Sequence, residues 1–102
     1  MNGNISGMTE FLIDFTLSTI KKMVDKEEEV FVSINLSTKN IIVQIKASKT
    51  DIGKIIGKKG RSIEALKVIT SAIKNTKFPI DSRSICLEIL EDEENNSLNG
   101  GN

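Results

Sequence analysis

The chain contains no histidine, tryptophan or tyrosine, and only one cysteine and one proline. Without histidine it lacks the usual metal ligand and the side chain that carries protons near neutral pH. The lone Cys86 cannot close an internal disulfide, which fits a reducing compartment, and with no histidine beside it no ordinary zinc site can be assembled. No nucleophile stands in a pattern with a base. These absences point to a binding protein and not an enzyme, with no metal and no cofactor. No apolar run approaches the length of a membrane span. Met1-Asn2-Gly3-Asn4-Ile5-Ser6-Gly7 lacks the basic and apolar regions of a secretory signal. A soluble, cytoplasmic protein is expected.

What is present fits one small domain: 102 residues, of which 38% are hydrophobic. Residues 1–7 and the acidic, Asn/Gly-rich residues 92–102 are expected to be disordered, leaving a domain over 8–91; Met8 offers a second translation start. The net charge is zero, but its distribution is uneven. Between Lys46 and Lys77 there are nine basic and two acidic residues, a local charge of +7; the remainder carries −7. Such a split predicts a cationic binding face on an acidic body.

The centre of the basic stretch is Asp51-Ile52-Gly53-Lys54-Ile55-Ile56-Gly57-Lys58-Lys59-Gly60-Arg61-Ser62-Ile63. Gly57 and Gly60 allow a tight turn and a close approach of a ligand to the backbone. Lys58, Lys59 and Arg61 bring positive charge to that turn. The helical pattern that follows would direct its first free N–H groups at the same place. This is the chemistry of a phosphate clamp. A nucleotide-triphosphate loop is excluded, because only Lys54, Ile55 and Ile56 separate Gly53 from Gly57, and Lys58 is followed by Lys59 where that loop needs Ser or Thr.

Periodicity gives the elements around the turn. Thr9 to Val24 is helical, with Thr9 as N-cap and Ile13, Leu17, Ile20 and Val24 as one stripe. Met8, Leu12, Phe15 and Met23 widen the apolar arc, and Phe11 with Phe15 suggests a dimer contact. Residues 30–36 and 41–47 alternate as two strands joined by a turn at Ser37-Thr38-Lys39-Asn40. Ser48 or Thr50 caps a short helix over about 51–56. A longer helix over about 61–75 carries Ile63, Leu66, Ile69 and Ile73, and Ile85, Leu87 and Ile89 mark a third strand.

The run Ile56-Gly57-Lys58-Lys59-Gly60-Arg61-Ser62-Ile63 resembles the Ile-Gly-x-x-Gly-x-x-Ile hallmark of the KH domain, an RNA-binding module whose GXXG loop clamps backbone nucleotides. The order α-β-β-α-α-β resembles the type II, prokaryotic KH arrangement. It implies an α+β fold with a three-stranded mixed sheet and three helices on one face. The size of the chain and the Gly53–Arg61 run are similar to the small bacterial single-KH proteins of the KhpA type. The resemblance implies that Gly57, Lys58, Lys59 and Gly60 hold phosphates and that Arg61 and Lys54 extend the cationic rim. Ile52, Ile55 and Ile56 are candidates for the apolar floor under the bases, with Ile52 and Ile55 favoured. Backbone groups around Ser84 to Leu87 would read base edges. An aliphatic groove of this kind fits a chain whose four aromatic residues, all Phe, lie outside the basic stretch.

The implied partner is single-stranded RNA, or single-stranded DNA, which the motif does not separate from it. The implied assembly is a homodimer, or a heterodimer with a larger protein carrying its own KH domain. The implied role is that of an RNA chaperone or post-transcriptional regulator. The alternative is a protein-interaction scaffold that uses the same fold to dimerise. A third idea is that Glu91-Asp92-Glu93-Glu94 competes with RNA for the basic face.

Overall fold

A computed structural model describes residues 5–90. Helix α1 spans Ile5–Lys21, strand β1 Phe31–Leu36, strand β2 Asn40–Lys46, helix α2 Lys49–Ile56, helix α3 Arg61–Lys77 and strand β3 Ser84–Ile89. The sheet order is β1-β2-β3, with β1 antiparallel and β3 parallel to the central β2. Ser37 and Asn40 close the β1–β2 hairpin: Ser37 N–H donates to the Asn40 carbonyl at 2.9 Å, and Asn40 N–H to Ser37 Oγ at 3.0 Å. The parallel pair β2–β3 requires a crossover, and α2, the glycine turn and α3 form it. All three helices cover one face of the sheet, so the fold is α+β with the type II KH order.

Alternation along the strands sets the core. Ile41, Val43 and Ile45 of β2 are fully buried, and Ile85 of β3 nearly so. They meet Met8, Leu12 and Ile20 of α1, Ile55 of α2 and Leu66 of α3 in two adjoining clusters. The intervening residues Phe31, Ser33, Gln44 and Glu88 lie on the open face, where Gln44 Nε2 donates to Glu88 Oε1 at 3.0 Å.

Three sequence expectations change. Helix α1 begins at Ile5, so residues 5–7, expected to be disordered, form its first turn and Thr9 lies inside it; residues 1–4 and 91–102 lie outside the described residues, and with them the disorder expected of 1–4 and 92–102. The buried ridge of α1 is Met8-Leu12-Thr16-Ile20, an i, i+4 row that includes a fully buried threonine; Ile13 and Leu17 are half-buried beside it. The buried row of α3 is Leu66-Thr70-Lys74, and Ile69 is exposed. Phe11 and Phe15 are half-buried and engaged within the chain: Phe11 stacks edge-on against Phe78 at 5.7 Å, and Phe15 packs on the core.

Candidate nucleic-acid interface

The turn between α2 and α3 is set by residues on both sides of it. Ser48 is the α2 N-cap, its hydroxyl accepting from Thr50 N–H. One turn in, the Asp51 carboxylate is fully buried and accepts from the backbone N–H of Lys26 at 2.9 Å and of Asp25 at 3.2 Å. It thereby fastens the α1–β1 loop to the start of α2. The N–H of Lys26 is the chief cause of a pKa below the usual carboxylate value; burial opposes the shift without reversing it. Lys54 pairs with Asp25 at 3.2 Å and Asp51 at 3.4 Å, and the bond to Asp25 leads in raising its pKa. Lys54, expected on the cationic rim, therefore stands next to two carboxylates that offset its charge.

Helix α2 ends at Gly57, whose N–H donates to the Gly53 carbonyl at 2.9 Å. Gly57 has φ +76°, and a Cβ there would lie 2.2 Å from Ser62 Oγ. Lys58 to Gly60 make one tight 3-10 turn. Gly60 has φ +72°, with open space where a Cβ would stand. Lys59 also adopts the left-handed region, at φ 57° and ψ 28°, a conformation that costs a non-glycine residue about 1 kcal/mol or more. Among the described residues no backbone carbonyl accepts from the N–H of Lys58 or Lys59. Gly60 caps α3 without a side chain, and the first N–H of that helix, on Arg61, donates to the Lys58 carbonyl. The exposed side chains of Lys58, Lys59 and Arg61 surround these donors. The arrangement can take an anion through backbone N–H groups, a helix N-terminus and three cations together.

A cleft of about 250 Å³ runs beside the turn between α3 and the edge strand β3, lined by Ile63, Glu64, Lys67, Cys86 and Leu87. A larger cavity of about 580 Å³ adjoins it through Lys67 and Cys86 and extends toward Ser71 and Arg83. β3 pairs with β2 on one side only, so its outer backbone groups face this groove. The far wall is the α3–β3 loop. There the buried ammonium of Lys74 donates to the carbonyls of Asp81 and, at 2.6 Å, of Arg83. Arg83 holds the Asp81 carboxylate through two nitrogens, at 3.0 and 2.6 Å, and brings its pKa down to about 2.

The apolar floor differs from the expectation. Ile55 is fully buried between α1, β2 and α3, because it shares with Asp51 the i, i+4 row of α2 that faces the core; it has no surface to offer a base. Ile52 is half-buried and lines a separate pocket. The apolar surface next to the turn belongs to Ile56, which is 37% exposed, and to Ile63 and Leu87 of the cleft. Gly53, exposed and with nothing above its Cα, keeps the same side of α2 open. Lys67 was not expected at the site; its spacing of six residues from Arg61 gave no motif to find it by. Among the described residues no His/Cys/Asp/Glu group could hold a metal, and no helix is long and apolar enough to cross a membrane.

The KH-domain model of KhpA and KhpB proteins matches residues 14–83, most of the described fold and the entire α2–turn–α3 unit. The chain belongs to the KhpA/KhpB KH-domain family. A family member from Chlamydia caviae, named RNA-binding protein KhpA, is 38% identical over 80 residues, covering 78% of this chain and 97% of its own length. The KhpA of Borreliella burgdorferi is 33% identical over 89 residues, covering 87% of this chain and 95% of its own. That of Clostridium perfringens is 42% identical over a shorter stretch of 59 residues, 56% of this chain and 79% of its own. No solved structure matches the chain. Residues 84–90, which hold β3 and the groove's edge, fall beyond the family match and rest on the fold itself.

Proposed function

We propose that this protein binds single-stranded RNA, with Gly57, Lys58, Lys59, Gly60 and Arg61 clamping the backbone and Ile56, Ile63 and Leu87 supporting the bases. The observation that carries this reading is the turn at Lys58–Gly60, where the unpartnered backbone N–H groups of Lys58 and Lys59, a helix start with no side-chain cap and three exposed cations converge beside an aliphatic cleft. The relatives' name, RNA-binding protein KhpA, supports RNA as the ligand. The outer edge of β3 offers donors and acceptors to base edges. The role proposed is binding, in keeping with the relatives' name.

A clamp of about four nucleotides is weak by itself. A second copy, or a larger protein with its own KH domain, would raise avidity by roughly 10²-fold or more. Exposed Val68 and Ile69, 59% and 48% accessible on α3, favour such an assembly over the Phe11 and Phe15 contact. In the cytoplasm this activity suits an RNA chaperone or a post-transcriptional regulator. The test is titration of a fluorescent pool of short single-stranded RNAs with the wild type and Lys58→Asp/Lys59→Asp at two salt concentrations. Salt-sensitive binding that the folded variant loses is the expected result. Equal binding by both proteins rejects the clamp, and no binding by either favours the dimerising scaffold.

A further inference from the structure

The four phenylalanines stand outside the basic stretch in sequence, but the fold returns one of them to it. Phe31 opens β1, and the antiparallel register sets it opposite Lys46, the last residue of β2. Directly opposed residues on one sheet face have Cβ atoms about 5 Å apart. The chain then turns through Ala47 and Ser48 into α2, so Lys49 arrives beside the same ring. Together with Ile52, Leu90 and Glu29 these residues line a pocket of about 460 Å³. Phe31 is 63% exposed there and is the one aromatic side chain exposed among the described residues. An exposed ring in one pocket with two lysines is the arrangement that single-strand binders use to stack a base while holding its phosphates.

The pocket lies at the N-terminal end of α2 and the clamp at its C-terminal end. Ile52 and Ile56 are neighbours on one ridge of α2, four residues apart, and the helix covers the roughly 12 Å between Lys49 and Gly57. Glu29 also lines the pocket and disfavours phosphate on its own side.

We infer that Phe31 is a stacking platform for a further nucleotide of the same RNA strand, with Lys46 and Lys49 holding its flanking phosphates. This rests on the RNA reading and extends it: the strand continues along α2, past the nucleotides gripped at Gly57–Gly60. The ligand class is an unpaired nucleotide of any base, because every base has a face to stack.

The experiment compares a tetranucleotide with an octanucleotide, each unstructured, against the wild type, Phe31→Ala, Phe31→Leu, Phe31→Tyr and Lys49→Gln. The exposed position lets each variant keep the core, and circular dichroism confirms the fold. The octanucleotide is expected to bind roughly 5- to 100-fold more weakly to Phe31→Ala. Phe31→Leu should show a similar loss, Phe31→Tyr should retain binding, and the tetranucleotide should not distinguish any of the three. Lys49→Gln should reduce the salt slope for the octanucleotide by about one. Equal octanucleotide binding by the wild type and Phe31→Ala overturns the platform; if Lys58→Asp/Lys59→Asp still abolishes binding, the clamp stands without it. Tighter binding by Phe31→Ala also overturns it. Loss of all binding by the wild type overturns both readings.

Discussion

A Cβ on Gly57 would stand 2.2 Å from Ser62 Oγ, 2.6 Å from Ser62 Cβ and 2.9 Å from Ser62 N, so the end of α2 and the start of α3 touch through a missing side chain. Gly60 shares the positive φ but has no such neighbour. The two glycines of the motif are therefore needed for different reasons. Gly60→Ala should cost about 1 kcal/mol for its left-handed backbone. Gly57→Ala adds a clash with backbone as well as side chain and should cost about 2–4 kcal/mol. Urea denaturation of the two variants checks this; equal midpoints would show that the turn relaxes around Ser62 without strain.

Charge at the turn should appear in the salt dependence of binding. Two or three phosphates held by Lys58, Lys59 and Arg61 predict a log–log slope of roughly −1.5 to −2 for single-stranded RNA of four nucleotides. Arg61→Gln should make the slope shallower by about one half to one unit while leaving thermal stability unchanged, since the side chain is exposed. Fluorescence titration across a salt series measures both.

Acid should loosen the fold through Asp51 and Asp81. Both carboxyls titrate lower in the folded protein than in the unfolded chain, Asp51 chiefly through the N–H of Lys26 and Asp81 through Arg83, to about 2. A depressed folded pKa contributes stability that is complete above the unfolded value and is lost as pH falls through the folded one. The loss should therefore run from about pH 5 down to about pH 2. Asp51→Asn should lower Tm at neutral pH by roughly 5–10 °C, because the α1–β1 loop loses its ionised acceptor, and should flatten the upper part of the acid limb. Thermal melts of both proteins between pH 2 and 7 test it.

Lys74 should behave as a structural residue despite its charge. Its side chain is 1% exposed and its ammonium satisfies the carbonyls of Asp81 and Arg83. Lys74→Met keeps most of the volume but leaves those carbonyls without donors, a cost of about 2–4 kcal/mol. Chemical denaturation gives the number. Amide hydrogen exchange should show the loss of protection concentrated in residues 78–83, and uniform loss would argue that the lysine supports the whole helix instead.

The residues that sequence reading misplaced are mostly polar groups inside and apolar groups outside. Periodicity in apolar residues located every helix and strand, and the glycine run located the turn, because both signals are carried by side-chain type. The same signal could not see that Thr16, Thr70 and Lys74 complete buried rows: Thr70 donates to the Leu66 carbonyl of its own helix, Lys74 to carbonyls of the loop that follows, and the buried Thr16 hydroxyl has no partner among the described residues. The resemblance to KH domains offered Ile52, Ile55 and Ile56 for the floor, with the first two favoured; only the direction in which α2 rotates over the core separates Ile55, inside, from Ile56, outside. Lys54 read as a free cation because Asp25, nearly thirty residues earlier, is close to it only in the fold. The association of Phe31 with the basic stretch was hidden in the same way, by a strand register that no local pattern encodes.

The two pairings of β2 have different histories in the folding chain. Its contact with β1 closes a hairpin over three residues, Ser37 to Lys39, whereas its contact with β3 joins residues 44 apart. Loop-closure entropy makes the hairpin early and the parallel pair late. The wall of the groove is thus the last part of the sheet to assemble during synthesis. A nascent chain therefore carries its exposed basic turn before the groove beside that turn exists.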